Sequence, residues 1–248
     1  MDYSKYKYIQ VEQVGRILRL TLNRPESLNA VTLDMHTEIT NIFYDIRFDQ
    51  DVDVITLTGA GRGFCAGADL NMKPPKDREG VDRLFAEARD ILVNILEIEK
   101  PIIAGVNGAA AGLGVTLALF PDIVIASDRA KLGDTHVKIG LAAGDGGAVI
   151  WPLLVGVNKA KEMLMTGRVI DAQEALRIGL VNHVVPHEEL DRAVMETAQE
   201  LAEGHKVAIQ ASKKAVNLYI KWMLNQVFDY SCAMEYLTGL TVFKPQQE

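Results

Sequence analysis

PIIAGVNGAAAGLG, from Pro101 to Gly114, is the stretch whose reading decides the fold. Proline can neither continue a helix nor donate to a ladder, so Pro101 ends whatever comes before it. Pro101 to Val106 (PIIAGV) then reads as a short strand buried on both faces. The glycine-rich run Gly108 to Gly114 (GAAAGLG) leads into a helix over roughly Val115 to Phe120, and Asp122 to Ala126 (DIVIA) is another strand. Strand, helix, strand in this order favours an α/β core with largely parallel pairing.

The pattern extends towards both termini. Val52 to Thr58 (VDVITLT) is a β-branched strand closed by the Gly59, Gly61 and Gly63 turn, so a second glycine-rich loop follows a second strand. Before it, apolar residues at Leu33, Met35, Ile39, Ile42, Phe43 and Ile46 predict a helix over Thr32 to Ile46. Tyr8 to Val14 and Ile17 to Leu22 flank Gly15-Arg16 as a hairpin, and Asn23-Arg24-Pro25-Glu26 breaks the second strand. A helix is expected from Val81 to Ile98. Farther on, Asp171 and Glu174 form a capping box for a helix through Ile178, which Gly179 ends. Leu180 to Val185 (LVNHVV) is a strand. After Pro186 an amphipathic helix runs to Glu203, and Val207 to Leu240 is helical almost throughout. The expected division is a core over 1–186 and a helical region over 187–248.

Composition narrows the function. The 248 residues carry 26 Lys+Arg against 33 Asp+Glu, a net charge of −7, with 48% hydrophobic residues. That suits a globular protein and excludes a disordered chain. An acidic balance argues against a nucleic-acid partner, which would need a clustered basic face. Two cysteines, Cys65 and Cys232, imply no disulfide framework. Met1 to Lys7 lacks the apolar run of a signal peptide, and no run of 18 apolar residues exists, so a cytoplasmic protein with no membrane partner is expected. His183 and His187 are separated by Pro186 and share no helix face, so no metal site is expected there.

Two glycine-rich loops after neighbouring strands can each present a backbone N–H to one oxygen, since glycine allows close approach and helix-start amides are unpaired. Neither loop is a full G-x-G-x-x-G or a phosphate loop. No Gly-x-Ser-x-Gly elbow occurs.

Taken together, NRPESLNAV (23–31), GRGFCAGADL (61–70), PIIAGVNGAAAGLG (101–114), DIVIAS (122–127) and EALRIGLVNHVV (174–185) resemble the crotonase superfamily, the enoyl-CoA hydratase/isomerase family, over nearly the whole chain. The resemblance implies an α/β crotonase-like spiral of ββα turns with a C-terminal helical oligomerisation region that builds a homotrimer or hexamer. It implies an acyl-CoA thioester as substrate, coenzyme A as part of that substrate, and neither a covalent cofactor nor a metal. By position, the oxyanion-hole amides are those of Ala68 and Leu113. Leu28 and Ala30 would lie near the adenine, and Ala66, Ala68, Asp69, Leu70, Asn71 and Leu113 along the coenzyme path, with Asp69 a loop clamp rather than a catalyst. The acyl pocket is expected from Met72 to Leu96 and the C-terminal helices.

The departures from the family are as informative. The two glutamates of the family's hydratases are here Thr116 and His136. Asp145, in the turn Gly140 to Gly147, lies about one position later than the acid of other branches. His136 and Asp145 are therefore the expected proton-transfer pair, with Asp145 alternatively capping a helix near Ala148. Asp134 and Thr116 are weaker candidates, as a partner of His136 and a water-binding hydroxyl. Three functions follow as expectations: enoyl-CoA hydratase/isomerase chemistry, hydrolysis of a CoA thioester or of a β-diketone C–C bond, or acyl-CoA binding with weak catalysis.

Overall fold

A computed structural model describes residues 1–72, 75 and 77–242. Strands β1 (Ile9–Val14) and β2 (Ile17–Leu22) form the antiparallel hairpin, turning on Gly15 at φ +59°. Helix α1 (Leu33–Phe48) starts on Thr32, whose hydroxyl accepts the Met35 amide, and buries Met35, Ile39, Ile42, Phe43 and Ile46. It crosses over to β3 (Val54–Gly59), which pairs in parallel with β2.

The chain then follows β4 (Gly63–Cys65), α2 (Arg78–Glu97), β5 (Ile102–Val106), β6 (Ala109–Ala111), α3 (Leu113–Leu119), β7 (Ile123–Ser127) and β8 (Lys131–Gly133). Helices α4 (Gly147–Val155) and α5 (Val157–Thr166), strand β9 (Ile170–Asp171), helix α6 (Ala172–Arg177) and strand β10 (His183–Val185) complete the core. Helices α7 (Leu190–Glu203) and α8 (Lys206–Val242) end the described chain. Each turn of the spiral gives one strand to a sheet ordered β1-β2-β3-β5-β7-β10 and the next to a sheet ordered β4-β6-β8-β9. All pairs are parallel except β1–β2 and β8–β9.

The second sheet is the main difference from the sequence expectation. β4 and β6 lie inside segments that read as glycine-rich loops, because a three-residue strand is too short to show a period of two. Buried asparagines hold the corners between the sheets. Asn29 Nδ2 donates to the carbonyls of Ala60, Gly63 and Phe64. Asn107 Nδ2 donates to those of Gly59, Gly61 and Gly63. These bonds satisfy carbonyls that leave one ladder before joining the other. α4 and α5 fall outside the helices expected from periodicity. The α4 sequence GAVIWPLLV contains Pro152 and has no polar face to set a period. The expected strand at Leu180 is shorter than its sequence run: only His183–Val185 pair with β7.

Helix α7 lays Leu190, Val194 and Ala198 against Ile17, Val54, Ile103 and Ile125 of the main sheet. Helix α8 is tied to the core by Lys213, whose ammonium reaches Asp122 at 2.7 Å and the Lys100 carbonyl at 2.8 Å. Asn217 adds a bond to the Leu96 carbonyl. No helix among the described residues is long and apolar enough to cross a membrane.

Candidate active site

Because β3 and β5 are neighbours, the turns beyond them meet. Gly67, at φ +89°, packs so closely on the β6–α3 corner that an added Cβ would stand 2.6 Å from the Ala111 carbonyl oxygen. A parallel bridge joins Ala68 to Val31: Val31 donates to the Gly67 carbonyl and Asp69 donates to the Val31 carbonyl. In such a bridge the residue between the two bonded positions points its own N–H away from the partner. Ala68 is exposed. Leu113, the first residue of α3, is 7% exposed and its amide has no acceptor within the helix. The next residue, Gly114, seats α3 directly on β4: an added Cβ would overlap the Cys65 carbonyl.

The stretch expected beside the coenzyme is pinned from several sides. The Ala66 amide donates to the Leu28 carbonyl at 3.0 Å, and Leu28 itself has φ +54°. Arg24 donates to the Ala30 carbonyl and pairs with Asp69 Oδ2 at 3.2 Å. Asp69 Oδ1 accepts the Asn71 amide at 3.0 Å. The Asn71 amide, aided by Arg24, holds the Asp69 carboxyl below its usual range. These contacts tie Asp69 to both Arg24 and the Asn71 backbone. Leu70 is 73% exposed. Lys73, Pro74 and Lys76, within the stretch expected to wall the acyl chain, lie outside the described residues.

The polar cluster forms where the segment after β8 meets α3 and α8. His136 Nδ1 donates to Asp134 Oδ1 at 2.7 Å, and its Nε2 stands 3.3 Å from Asp145 Oδ2. Thr116, on α3, donates its hydroxyl to Asp145 Oδ1 at 3.1 Å. An added Cβ on Gly112 would lie 3.4 Å from His136 Cε1, so the imidazole sits beside the turn that carries the Leu113 amide. His136, Asp145 and Thr116, separate in sequence, are thus brought together.

Burial opposes charge on His136, but Asp145 and Asp134 outweigh it and raise its pKa well above the usual histidine value. Burial likewise opposes ionisation of Asp145, yet His136 and the Thr116 hydroxyl hold its pKa below the ordinary one. His136 is therefore an imidazolium at neutral pH and Asp145 a carboxylate. Gly146, at φ +119°, occupies the α4 cap position with no side-chain cap bond, and the Asp145 carboxylate turns to His136 and Thr116 while the Gly147 amide at the helix start also favours its charge.

Sequence reasoning missed Glu235. Its Oε1 stands 3.8 Å from His136 Nε2. Burial and the Asp145 charge push its carboxyl up to about 8. The missed signal is helical spacing on α8. Ser231 donates to the Gly144 carbonyl, Thr238 accepts the Ala142 amide at 3.0 Å, and Val242 packs on Gly140. With Glu235, these residues form one face that lies on the Gly140–Gly144 turn.

The ligand-type atoms of Asp134, His136 and Asp145 lie within 4.8 Å of one another. Both ring nitrogens of His136 are already engaged by the two carboxylates, so a proton occupies the place a cation would need. Cys65 is buried, its thiol donates to the Asn29 carbonyl at 3.2 Å, and burial pushes its pKa up to about 12. That is the wrong state for a nucleophile. His187 Nδ1 lies 3.0 Å from the Ser127 hydroxyl. A cavity of about 200 Å³ under α7, bordered by Arg19, Thr58, Asn107 and Asp191, contains no member of the cluster.

Two sheets fed by alternate strands of one spiral, with long C-terminal helices, are the architecture of the crotonase fold. The chain belongs to the enoyl-CoA hydratase/isomerase family, whose model matches residues 12–240. It is 40% identical over 210 residues to a short-chain-enoyl-CoA hydratase of Clostridium acetobutylicum, covering 84% of this chain and 80% of that one. It is 36% identical over 211 residues to an (E)-benzylidenesuccinyl-CoA hydratase of Thauera aromatica, covering 85% and 82%. An enoyl-CoA hydratase/isomerase from Mycobacterium paratuberculosis superposes with a TM-score of 0.91 at 32% identity, covering 95% of each chain.

Proposed function

We propose that the protein hydrates or isomerises an enoyl-CoA thioester, with the amides of Ala68 and Leu113 holding the enolate oxygen and His136 and Asp145 moving protons. The observation that carries this reading is the His136 imidazole fixed between Asp134 and Asp145 beside the Gly112–Leu113 turn. A thioester seated in that turn exposes its α- and β-carbons to the cluster. Asp145, ionised, accepts a proton from water, and the Thr116 hydroxyl on its other oxygen keeps that carboxylate oriented. The paired amides act where negative charge develops, and losing one such donor typically costs about 2.7–4 kcal/mol. The relatives named as hydratases support water addition over double-bond migration. Turnover of a panel of enoyl-, dienoyl- and 3-oxoacyl-CoA thioesters with product analysis tests the reading, and inactivity on every thioester would remove it.

A second reading, hydrolysis of a β-diketone C–C bond or of the thioester, is favoured by one observation. His136 Nε2 lies 3.3 Å from Asp145 Oδ2, and this pair, with Thr116 on the other carboxylate oxygen, suits activation of a lone water. Cleavage products in the same panel would select it.

Substrate binding rests on the two turns and needs neither nicotinamide nor metal. Calorimetric titration is expected to show binding of acyl-CoA and none of NAD, with chelator leaving the isotherm unchanged. Tight NAD binding would defeat the assignment.

The same reading includes a homotrimer or hexamer. Along α8, Tyr219, Trp222 and Tyr230 are 74%, 64% and 69% exposed, more apolar surface than a lone chain leaves in water. Light scattering is expected to give a multiple of three chains, and a stable 27.3 kDa species at micromolar concentration would overturn it.

A further inference from the structure

Glu235 is the one member of the cluster that no expectation placed there, and three observations define its position. It stands within 3.8 Å of His136 Nε2, the same nitrogen that lies 3.3 Å from Asp145, so one ring nitrogen serves two carboxyl groups. Its side chain is 26% exposed, against 9% for His136, 11% for Asp145 and 1% for Asp134, so it is the most open group of the four. It is also held in place. An added Cβ on Gly144 would come 2.5 Å from Glu235 Cβ and Oε2, and Ser231 and Thr238 fasten the helix turns on either side to the same loop. Only a residue without a side chain at position 144 lets the carboxyl lie against that backbone.

We propose that Glu235, delivered by α8, is the catalytic acid that gives a proton to the substrate carbon, and that His136 Nε2 returns a proton to it from Asp145. This rests on the hydratase/isomerase reading. During water addition, one water O–H bond breaks: the oxygen bonds to the β-carbon and the proton goes to Asp145. The π-electron pair of the double bond moves into the thioester enolate, whose oxygen lies at the Ala68 and Leu113 amides. The α-carbon then takes the proton of Glu235 and the enolate collapses, leaving a carboxylate. His136 gives its Nε2 proton to that carboxylate and takes the one on Asp145. Water has been added, and all three groups have regained their starting protonation.

The groups whose charge acts on Glu235 are Asp145 and Asp134, which favour its protonated form, and His136, which opposes it. Cys232, one turn earlier on the same helix, is itself held protonated. The acid is therefore present at neutral pH and is lost as pH rises through about 8.

The test is Glu235→Gln in the full chain, which keeps shape and packing but has no carboxyl proton. Turnover of a 2-enoyl-CoA is expected to fall about 10²–10⁴-fold, the range of a general acid. KM and thermal midpoint should change little, and the alkaline limb of the wild-type pH profile should disappear. Turnover within about threefold of wild type, below the effect of such a group, or an unaltered alkaline limb, overturns the proposal. So does a loss of activity matched by a loss of thermal stability. Infrared difference spectra between the two proteins give a readout without turnover: a protonated-carboxyl band present at neutral pH and titrating away through about 8 is expected. Its absence at neutral pH overturns the proposal. A wild type that turns over no thioester removes the functional reading instead, and the infrared band then decides separately whether Glu235 holds a proton beside His136.

Discussion

Asp145→Asn is expected to lower turnover by about 10²–10⁴-fold, the contribution of a positioned acid–base group, while acyl-CoA affinity stays near wild type. The amide keeps the shape and can still accept from Thr116, but it cannot take a proton from water. Asp134 remains bonded to His136 at 2.7 Å, so one ion pair of the cluster survives and the fold is little affected. His136→Gln behaves differently. It removes the cation shared by Asp134 and Asp145, of which Asp134 is 1% exposed. Leaving a buried charge without its partner typically costs about 3–5 kcal/mol, so this variant should lose stability as well as activity. Steady-state kinetics with urea denaturation separates the two. Asp145→Asn activity within about threefold of wild type would show that Asp145 is structural, since a general base contributes far more.

The same pairing sets the pH dependence of wild-type stability. The folded pKa of His136 lies above its unfolded one, so its contribution is complete below about 6.5 and is lost as pH rises through the folded value. Asp145 runs the other way: its contribution is present above its unfolded value and is lost as pH falls through the lowered folded one.

Gly114→Ala is expected to damage stability and catalysis together. The new methyl group would overlap the Cys65 carbonyl, which is fixed backbone of β4 and cannot swing aside. Helix α3 must lift from β4, at about 1–3 kcal/mol or more for overpacking of this kind. Because Leu113 is the residue before it, the same movement displaces one of the two proposed enolate donors. A displaced donor of this type typically lowers kcat by about 10²–10³-fold. A urea midpoint and kcat both within error of wild type would show that the α3–β4 contact tolerates a side chain and does not govern the site.

Much of this was legible in the residues. The hairpin at Gly15, the crossover helix from Thr32, the strands at Val54 and Ile102 and the long terminal helices all appear close to their expected places, because each shows a period of two or 3.6 over enough residues. The two glycine-rich turns followed from strand-glycine-helix order alone, and their meeting followed from β3 and β5 being neighbours. His136, Asp145 and Thr116 were singled out by position in the resembled motifs, and the fold brings the three together.

What tertiary structure decided lies where local pattern carries no signal. The strands β4, β6, β8 and β9 have two or three residues each, and only pairing with distant backbone makes them strands. Glu235 meets His136 because α8 lies along the Gly140–Gly144 turn, a contact set by the packing of a distant helix and by the missing side chain of Gly144. The charge of His136 was equally out of reach. Residue type sets only an intrinsic pKa, whereas burial opposes the charge of His136 and the adjacent Asp145 and Asp134 outweigh it. Sequence named the chemistry available to this protein; the protonation states depend on distances that exist only after the chain has folded.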